Sequence, residues 1–198
     1  MPAVARGATP QSPAALWGSR LTIPNIITIG RILLVPLTIW LIITGQFQFA
    51  LVAFGAAAVS DAIDGFIAKR FGLTTELGAY LDPLADKLLL VSIYVSLGVL
   101  EALPLWLVIL VVSRDILIVG AVLLSWLLNK PVQMRPLWIS KFNTTAQILL
   151  AGVVLGVLAL GADVGQLVTL AVYVVGAFTV LSGAAYMREW VRHMANGI

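Results

Sequence analysis

Apolar residues fall into six blocks along the chain, at about 25–44, 47–69, 77–100, 104–128, 139–160 and 166–187. Each is close to the ~20 residues that a helix needs to cross a bilayer. Turn formers and charges collect between the blocks, at Gly45-Gln46, Lys69 to Glu76, Glu101 to Pro104, Asn129 to Pro136 and Gly161 to Gly165. The pattern predicts an all-α integral membrane protein with six transmembrane helices. Pro36 lies inside the first block, where it should bend the helix without ending it, because neighbouring helices can re-satisfy the freed carbonyl.

The first 22 residues break the pattern. Pro2, Gly7, Pro10, Pro13 and Gly18 interrupt a stretch with little apolar content, so it reads as an N-terminal tail. Arg6 is not followed by an apolar core, which argues against a signal peptide. Leu16 to Leu21 could form a short interfacial helix, with Trp17 at headgroup level and Arg20 facing phosphate. Residues 23–198 then form a single six-helix domain without an internal repeat.

Composition agrees with the pattern. The 198 residues are 61% hydrophobic and 11% charged, more apolar surface than one soluble core can bury. There is no cysteine, hence neither a disulfide nor thiol chemistry. The formal net charge of +3 is too small to suggest a nucleic-acid partner, and its distribution says more. Arg6 and Arg20 precede the first block, Lys69 and Arg70 follow the second, Lys130 and Arg135 the fourth, and Arg188 and Arg192 the last. The alternate turns hold Glu101 and Asp163 and no basic residue. This positive-inside pattern places both termini in the cytoplasm.

Five of the nine acidic residues lie between Ser60 and Lys87, and four of the five are aspartates. Asp61 and Asp64 are spaced i, i+3 and Asp82 and Asp86 i, i+4, so each pair shares a helix face, and a helical hairpin would bring the four together. Carboxylates that close raise one another's pKa unless cations compensate them. An all-oxygen donor set suits a hard ion such as Mg²⁺ or Mn²⁺. Helix capping, or pairing with Lys69, Arg70 and Lys87, is the structural alternative.

Other polar residues interrupt the apolar blocks. Asn25, Thr28 and Arg31 form one helical stripe and are read as a wall of a binding pocket; a snorkelling Arg31 is the alternative. Arg114 and Asp115 fall mid-block, too deep to snorkel, and require partners or a polar cavity. Arg135 and Lys141 form a basic cluster suited to phosphate, or ordinary positive-inside flanking.

The run from Asp61 to Asp86 resembles the CDP-alcohol phosphotransferase family, whose pattern is D-x2-D-G-x2-A-R-x8-G-x3-D-x3-D. Asp61, Asp64, Gly65, Ala68, Gly78, Asp82 and Asp86 match with the spacing intact, while Lys69 stands in place of the family arginine. Lys keeps the charge but loses the bidentate fork. The resemblance extends to Ile23-Pro24-Asn25 and implies an enzyme that moves the phosphatidyl group of CDP-diacylglycerol to an alcohol, releasing CMP. It also implies two Mg²⁺ or Mn²⁺ ions on Asp61, Asp64, Asp82 and Asp86, with Asp86 as general base. Asn25, Thr28, Gly65, Lys69 and Gly78 would bind the CDP group, and Arg31, Arg114, Arg135 and Lys141 the acceptor phosphate. A homodimer in a cell inner membrane, or an equivalent organellar one, is expected, with the site facing the cytoplasm and Gly98 and Gly120 at the dimer contact.

Ser113-Arg114-Asp115 and Ser140-Lys141-Phe142-Asn143-Thr144 look more like the cardiolipin synthase branch, which uses phosphatidylglycerol as acceptor. The phosphatidylglycerophosphate synthases, which use glycerol 3-phosphate, are the alternative. A divalent-cation transporter would also account for four carboxylates, but such sites lie near the bilayer midplane, often at repeats.

Overall fold

A computed structural model of the protein describes residues 23–71, 76–127, 138–162 and 164–195. These fold into six helices: α1 Ile23–Ile43, α2 Phe47–Phe71, α3 Glu76–Val99, α4 Leu105–Leu127, α5 Trp138–Leu160 and α6 Gly165–Ala195. No strand occurs among the described residues. The tail before Ile23 lies outside them.

The six apolar blocks and the six helices coincide to within a few residues, except at the end. There α6 continues past Met187 through Arg188, Glu189, Arg192 and His193. Apolarity ends where the block ends, but backbone hydrogen bonding does not need it. Trp190 Nε1 donates to Ser125 Oγ at 2.9 Å, which fastens the extension of α6 to the end of α4. Pro36 sits within an unbroken α1.

Three consecutive pairs pack as hairpins, and their tight turns share one chemistry. At the α1–α2 turn Gln46 N donates to Leu41 O and Gly45 N to Ile42 O, the paired bonds of a Schellman cap, with Gly45 at φ 74°. The α3–α4 turn repeats the bonds, Ala102 N to Leu97 O and Glu101 N to Gly98 O, but the left-handed residue is Glu101 at φ 58°. In the α5–α6 turn the left-handed residue is Gly161, at φ 63°. Gln48 Nε2 on α2 reaches Ala159 O on α5 at 3.4 Å, tying two of these turns at the same end.

The helices close a ring in which α1 packs on α2 and α3, α2 on α5, α5 on α6, α6 on α4, and α4 on α3, while α3 also touches α5 across the middle. Buried positions recur at helical spacing: Ala50, Phe54 and Ala57 on α2, Leu90, Ile93, Tyr94 and Leu97 on α3, and Leu150, Ala151, Val154 and Leu155 on α5. Gly98 receives the Val108 side chain, whose Cγ2 would stand 2.8 Å from an added Cβ, so it packs α3 on α4 within the chain. Gly120 is exposed, with nothing within 4 Å of an added Cβ.

The outer surface is apolar. Leu33, Phe49, Val52, Ile116, Leu149, Leu170 and Tyr173 all face outward. Among the described residues, Trp138–Leu160 and Gly165–Ala195 are long and apolar enough to cross a membrane, and shorter apolar stretches span Ile29–Ile43, Phe47–Ser60 and Lys87–Val99.

Candidate active site

The end of the ring opposite the tight turns carries the polar sequence motifs. Asp61, Asp64, Gly65 and Lys69 fall within the second half of α2, and Gly78, Asp82 and Asp86 within the first half of α3. The i, i+3 and i, i+4 spacings therefore act on real helices. Asn25 and Thr28 lie in the first turns of α1. The side chains of these nine residues lie outside the described set, as does Arg135 altogether.

Just inward of the carboxylate motif, five helices enclose a cavity of about 140 Å³. Its polar wall consists of Arg31 from α1, Lys87 from α3, Asp115 from α4, and Thr144 and Gln147 from α5, against Phe54 and Ala57 of α2 and Leu90 of α3. Helical register links this wall to the motif. Asp61 is one turn beyond Ala57 on α2, and Asp86 one turn before Leu90 on α3.

Arg31 is 1% exposed and faces this interior, so it does not snorkel to the surface. Lys87 Nζ lies 2.8 Å from Asp115 Oδ1, and Arg114 Nη1 approaches the same oxygen at 2.5 Å. Arg114 is otherwise committed to the scaffold. Its Nη2 donates to Ser140 Oγ of α5 and, at 2.8 Å, to Ser182 Oγ of α6, and its guanidinium lies 5.7 Å from the centre of the Tyr186 ring. It is not part of the cavity wall. Arg114 thus joins α4 to α5 and α6, while its neighbour Asp115 turns to the cavity.

Lys141, expected beside these groups, is instead exposed, with its ammonium 5.2 Å from the centre of the Trp138 ring. It occupies the rim. Two wall residues escaped the sequence reading of the site. Lys87 appears there only as a counter-charge for the neighbouring acids, and Gln147 does not appear. The buried amide of Gln147 donates to Thr179 Oγ1 at 3.2 Å, and the Thr179 hydroxyl faces Asn143 Oδ1 at 3.0 Å and Val175 O at 2.8 Å. Its own backbone carbonyl accepts from Tyr94 at 3.0 Å. This thread of buried polar groups holds α5 against α6 and α3, and it explains why Asn143 and Gln147 are polar on an otherwise apolar face.

Comparison with known proteins decides what kind of site this is. Residues 21–184 match the family model described as CDP-alcohol phosphatidyltransferase. The chain belongs to that family. The match covers every helix that lines the cavity, and it leaves the ion-transporter reading without support.

Similar relatives carry more than one name. A Homo sapiens cardiolipin synthase (CMP-forming) is 34% identical over 174 residues, 75% of this chain and 58% of that protein. A Schizosaccharomyces pombe cardiolipin synthase (CMP-forming)/mitochondrial hydrolase fusion protein is 36% identical over 182 residues, 83% of this chain and 30% of that protein. The chain therefore spans about a third to just over half of these two proteins. A probable phosphatidylglycerophosphate synthase of Mycobacterium tuberculosis is 28% identical over 196 residues, 96% of this chain and 91% of that protein.

Proposed function

We propose that this CDP-alcohol phosphatidyltransferase is a cardiolipin synthase, transferring the phosphatidyl group of CDP-diacylglycerol to phosphatidylglycerol with release of CMP. The observation that carries the reading is the family's spaced carboxylate motif, on two helices that also wall a cavity holding Arg31, Lys87 and Asp115. The motif accounts for the donor and the cavity for an acceptor that brings its own phosphate. Relatives named cardiolipin synthase at 33–36% identity support this choice of acceptor.

Six helices whose lengths run from 21 to 31 residues, about 30 Å or more each, and an apolar outer surface support six membrane spans. The basic residues flanking them support a cytoplasmic side for both termini and the motif end, in a cell inner membrane or an equivalent organellar one. Assembly as a homodimer belongs to the same reading.

The residues fit a divalent-metal cofactor, because Asp61, Asp64, Asp82 and Asp86 are all-oxygen donors paired by register on two helices. Two Mg²⁺ or Mn²⁺ ions bound there would neutralise the donor pyrophosphate and the departing CMP. Asp86 takes the proton of the acceptor hydroxyl. The freed oxygen attacks the phosphorus that carries diacylglycerol, and the bond from that phosphorus to the CMP oxygen breaks. Asn25, Thr28, Gly65, Lys69 and Gly78 hold the CDP group, with the glycines admitting it close to backbone.

A second reading, glycerol 3-phosphate as acceptor, is favoured by the Mycobacterium tuberculosis relative, which this chain matches over nearly its whole length. Purified protein supplied with CDP-diacylglycerol and Mg²⁺ or Mn²⁺ should release CMP and form cardiolipin when given phosphatidylglycerol. Release of CMP with glycerol 3-phosphate alone would replace this acceptor by the second.

A further inference from the structure

One carboxylate oxygen in the interior serves two cations. Asp115 Oδ1 is within ion-pair distance of both Lys87 Nζ and Arg114 Nη1, and among the described residues neither cation has a second acid. Lys87, Arg114 and Asp115 taken as a trio carry one net positive charge, and Lys87 and Asp115 line a space large enough for several atoms. The two cations are not equivalent. The Arg114 side chain is 4% exposed and is pinned by Ser140 and Ser182, whereas that of Lys87 is 34% exposed and, among the described residues, has no other bond. Lys87 is a point charge on a flexible stem, which can change partners at small cost. Should it leave, Asp115 still has Arg114, so no buried charge is orphaned.

We propose that Lys87 is an exchangeable phosphate-binding residue, moving from Asp115 to the phosphate of the acceptor alcohol as the acceptor enters the cavity. Arg114 remains behind as the permanent counter-ion. This rests on the transferase reading above and names the residue that recognises the acceptor's charge. The acceptor phosphate is favoured over the donor pyrophosphate because Lys87 and its partner Asp115 both line the cavity assigned above to the acceptor. Both candidate acceptors carry such a phosphate, and Lys87 serves either. Asp115 then holds Lys87 while the cavity is empty and competes with the acceptor phosphate for it.

The test compares two substitutions whose effects have opposite signs. In the purified full-length protein, Lys87→Met should raise the KM for the acceptor by about 10- to 100-fold, the scale of a lost charge-assisted hydrogen bond, with the KM for CDP-diacylglycerol nearly unchanged. Its thermal midpoint should stay near that of the wild type, because Asp115 keeps Arg114. Lys87→Arg should recover much of the acceptor affinity. Asp115→Asn frees Lys87, so it should leave acceptor KM unchanged or lowered while the thermal midpoint falls.

If both substitutions raise acceptor KM and lower the midpoint alike, the ion pair is only a strut and the proposal is wrong. A rise confined to the donor KM overturns it equally. Should Asp115→Asn fail to fold, the Lys87→Met and Lys87→Arg pair still decides, through acceptor KM and thermal midpoint. Wild-type protein that releases no CMP with either acceptor would remove the transferase reading itself, whereas normal acceptor KM in an active Lys87→Met protein removes this inference alone.

Discussion

Arg114 Nη2 on α4 lies 2.8 Å from Ser182 Oγ on α6, and that short bond turns a buried charge from a candidate ligand into a tie between helices. Replacing Arg114 with Met should lower stability by about 3 kcal/mol, since it removes two serine contacts and one of the two cations on Asp115. Arg114→Lys restores the charge but not the fork, and should recover less than half of the loss. Thermal unfolding in detergent or nanodiscs measures both. Equal stability of the Lys variant and the wild type would mean that the charge alone matters.

The left-handed conformation of Glu101 sets up a stabilising change. Gly45 and Gly161 fill the equivalent positions of the other two tight turns, and a non-glycine residue there is disfavoured by about 1–2 kcal/mol. Part of that is returned through the greater freedom of glycine in the unfolded chain. Glu101→Gly should therefore raise stability by roughly 0.5–1 kcal/mol, read as a higher thermal midpoint with unchanged turnover.

Gly176 on α6 offers the opposite case. An added Cβ would stand 2.8 Å from Trp106 Cζ3 and 2.9 Å from Cη2, inside contact distance of a rigid ring. Gly176→Ala should cost about 1–3 kcal/mol by overpacking. Combining it with Trp106→Leu, which removes the ring, should leave the alanine nearly neutral in a double-mutant cycle.

Within the proposed mechanism, Asp86→Asn keeps shape but removes the proton acceptor, so turnover should fall by about two to four orders of magnitude while CDP-diacylglycerol binding largely survives. Asn variants of Asp61, Asp64 and Asp82 should instead raise the metal concentration needed for half-maximal activity. Chelation should abolish CMP release, and added Mg²⁺ or Mn²⁺ should restore it.

Lys141 supplies the last of these expectations. Its exposed position over Trp138, outside the cavity, suits a rim contact in water, where a charge pair contributes little. Lys141→Ala should raise acceptor KM by about two- to fivefold, less than Lys87→Met, with donor binding unaffected. An effect larger than that of Lys87→Met would move the acceptor phosphate from the cavity to the rim.

Most of the helical layout was legible because long apolar blocks separated by glycine and charge admit little else. The depth of Arg114 and Asp115 in their block also required, correctly, that they find partners or a cavity. What could not be read was which received which, since Ser140, Ser182 and Lys87 come from three other helices and pairing across 26 to 68 positions leaves no local trace. Lys87 was obscured by the acids beside it in sequence, while its partner lies on α4. Glu101 escaped notice because its backbone conformation follows from the closure of α3 on α4, with no glycine to announce it.

The three tight turns lie at one end of the ring, and each joins two helices that pack on one another. The chain is thus three prefabricated hairpins, and the remaining connections join hairpin to hairpin at the motif end. A break introduced between residues 128 and 137 would leave every hairpin whole, so two separately synthesised pieces should reassemble in a membrane and recover the cavity. A break at Gly45 would split one hairpin and should not be repaired.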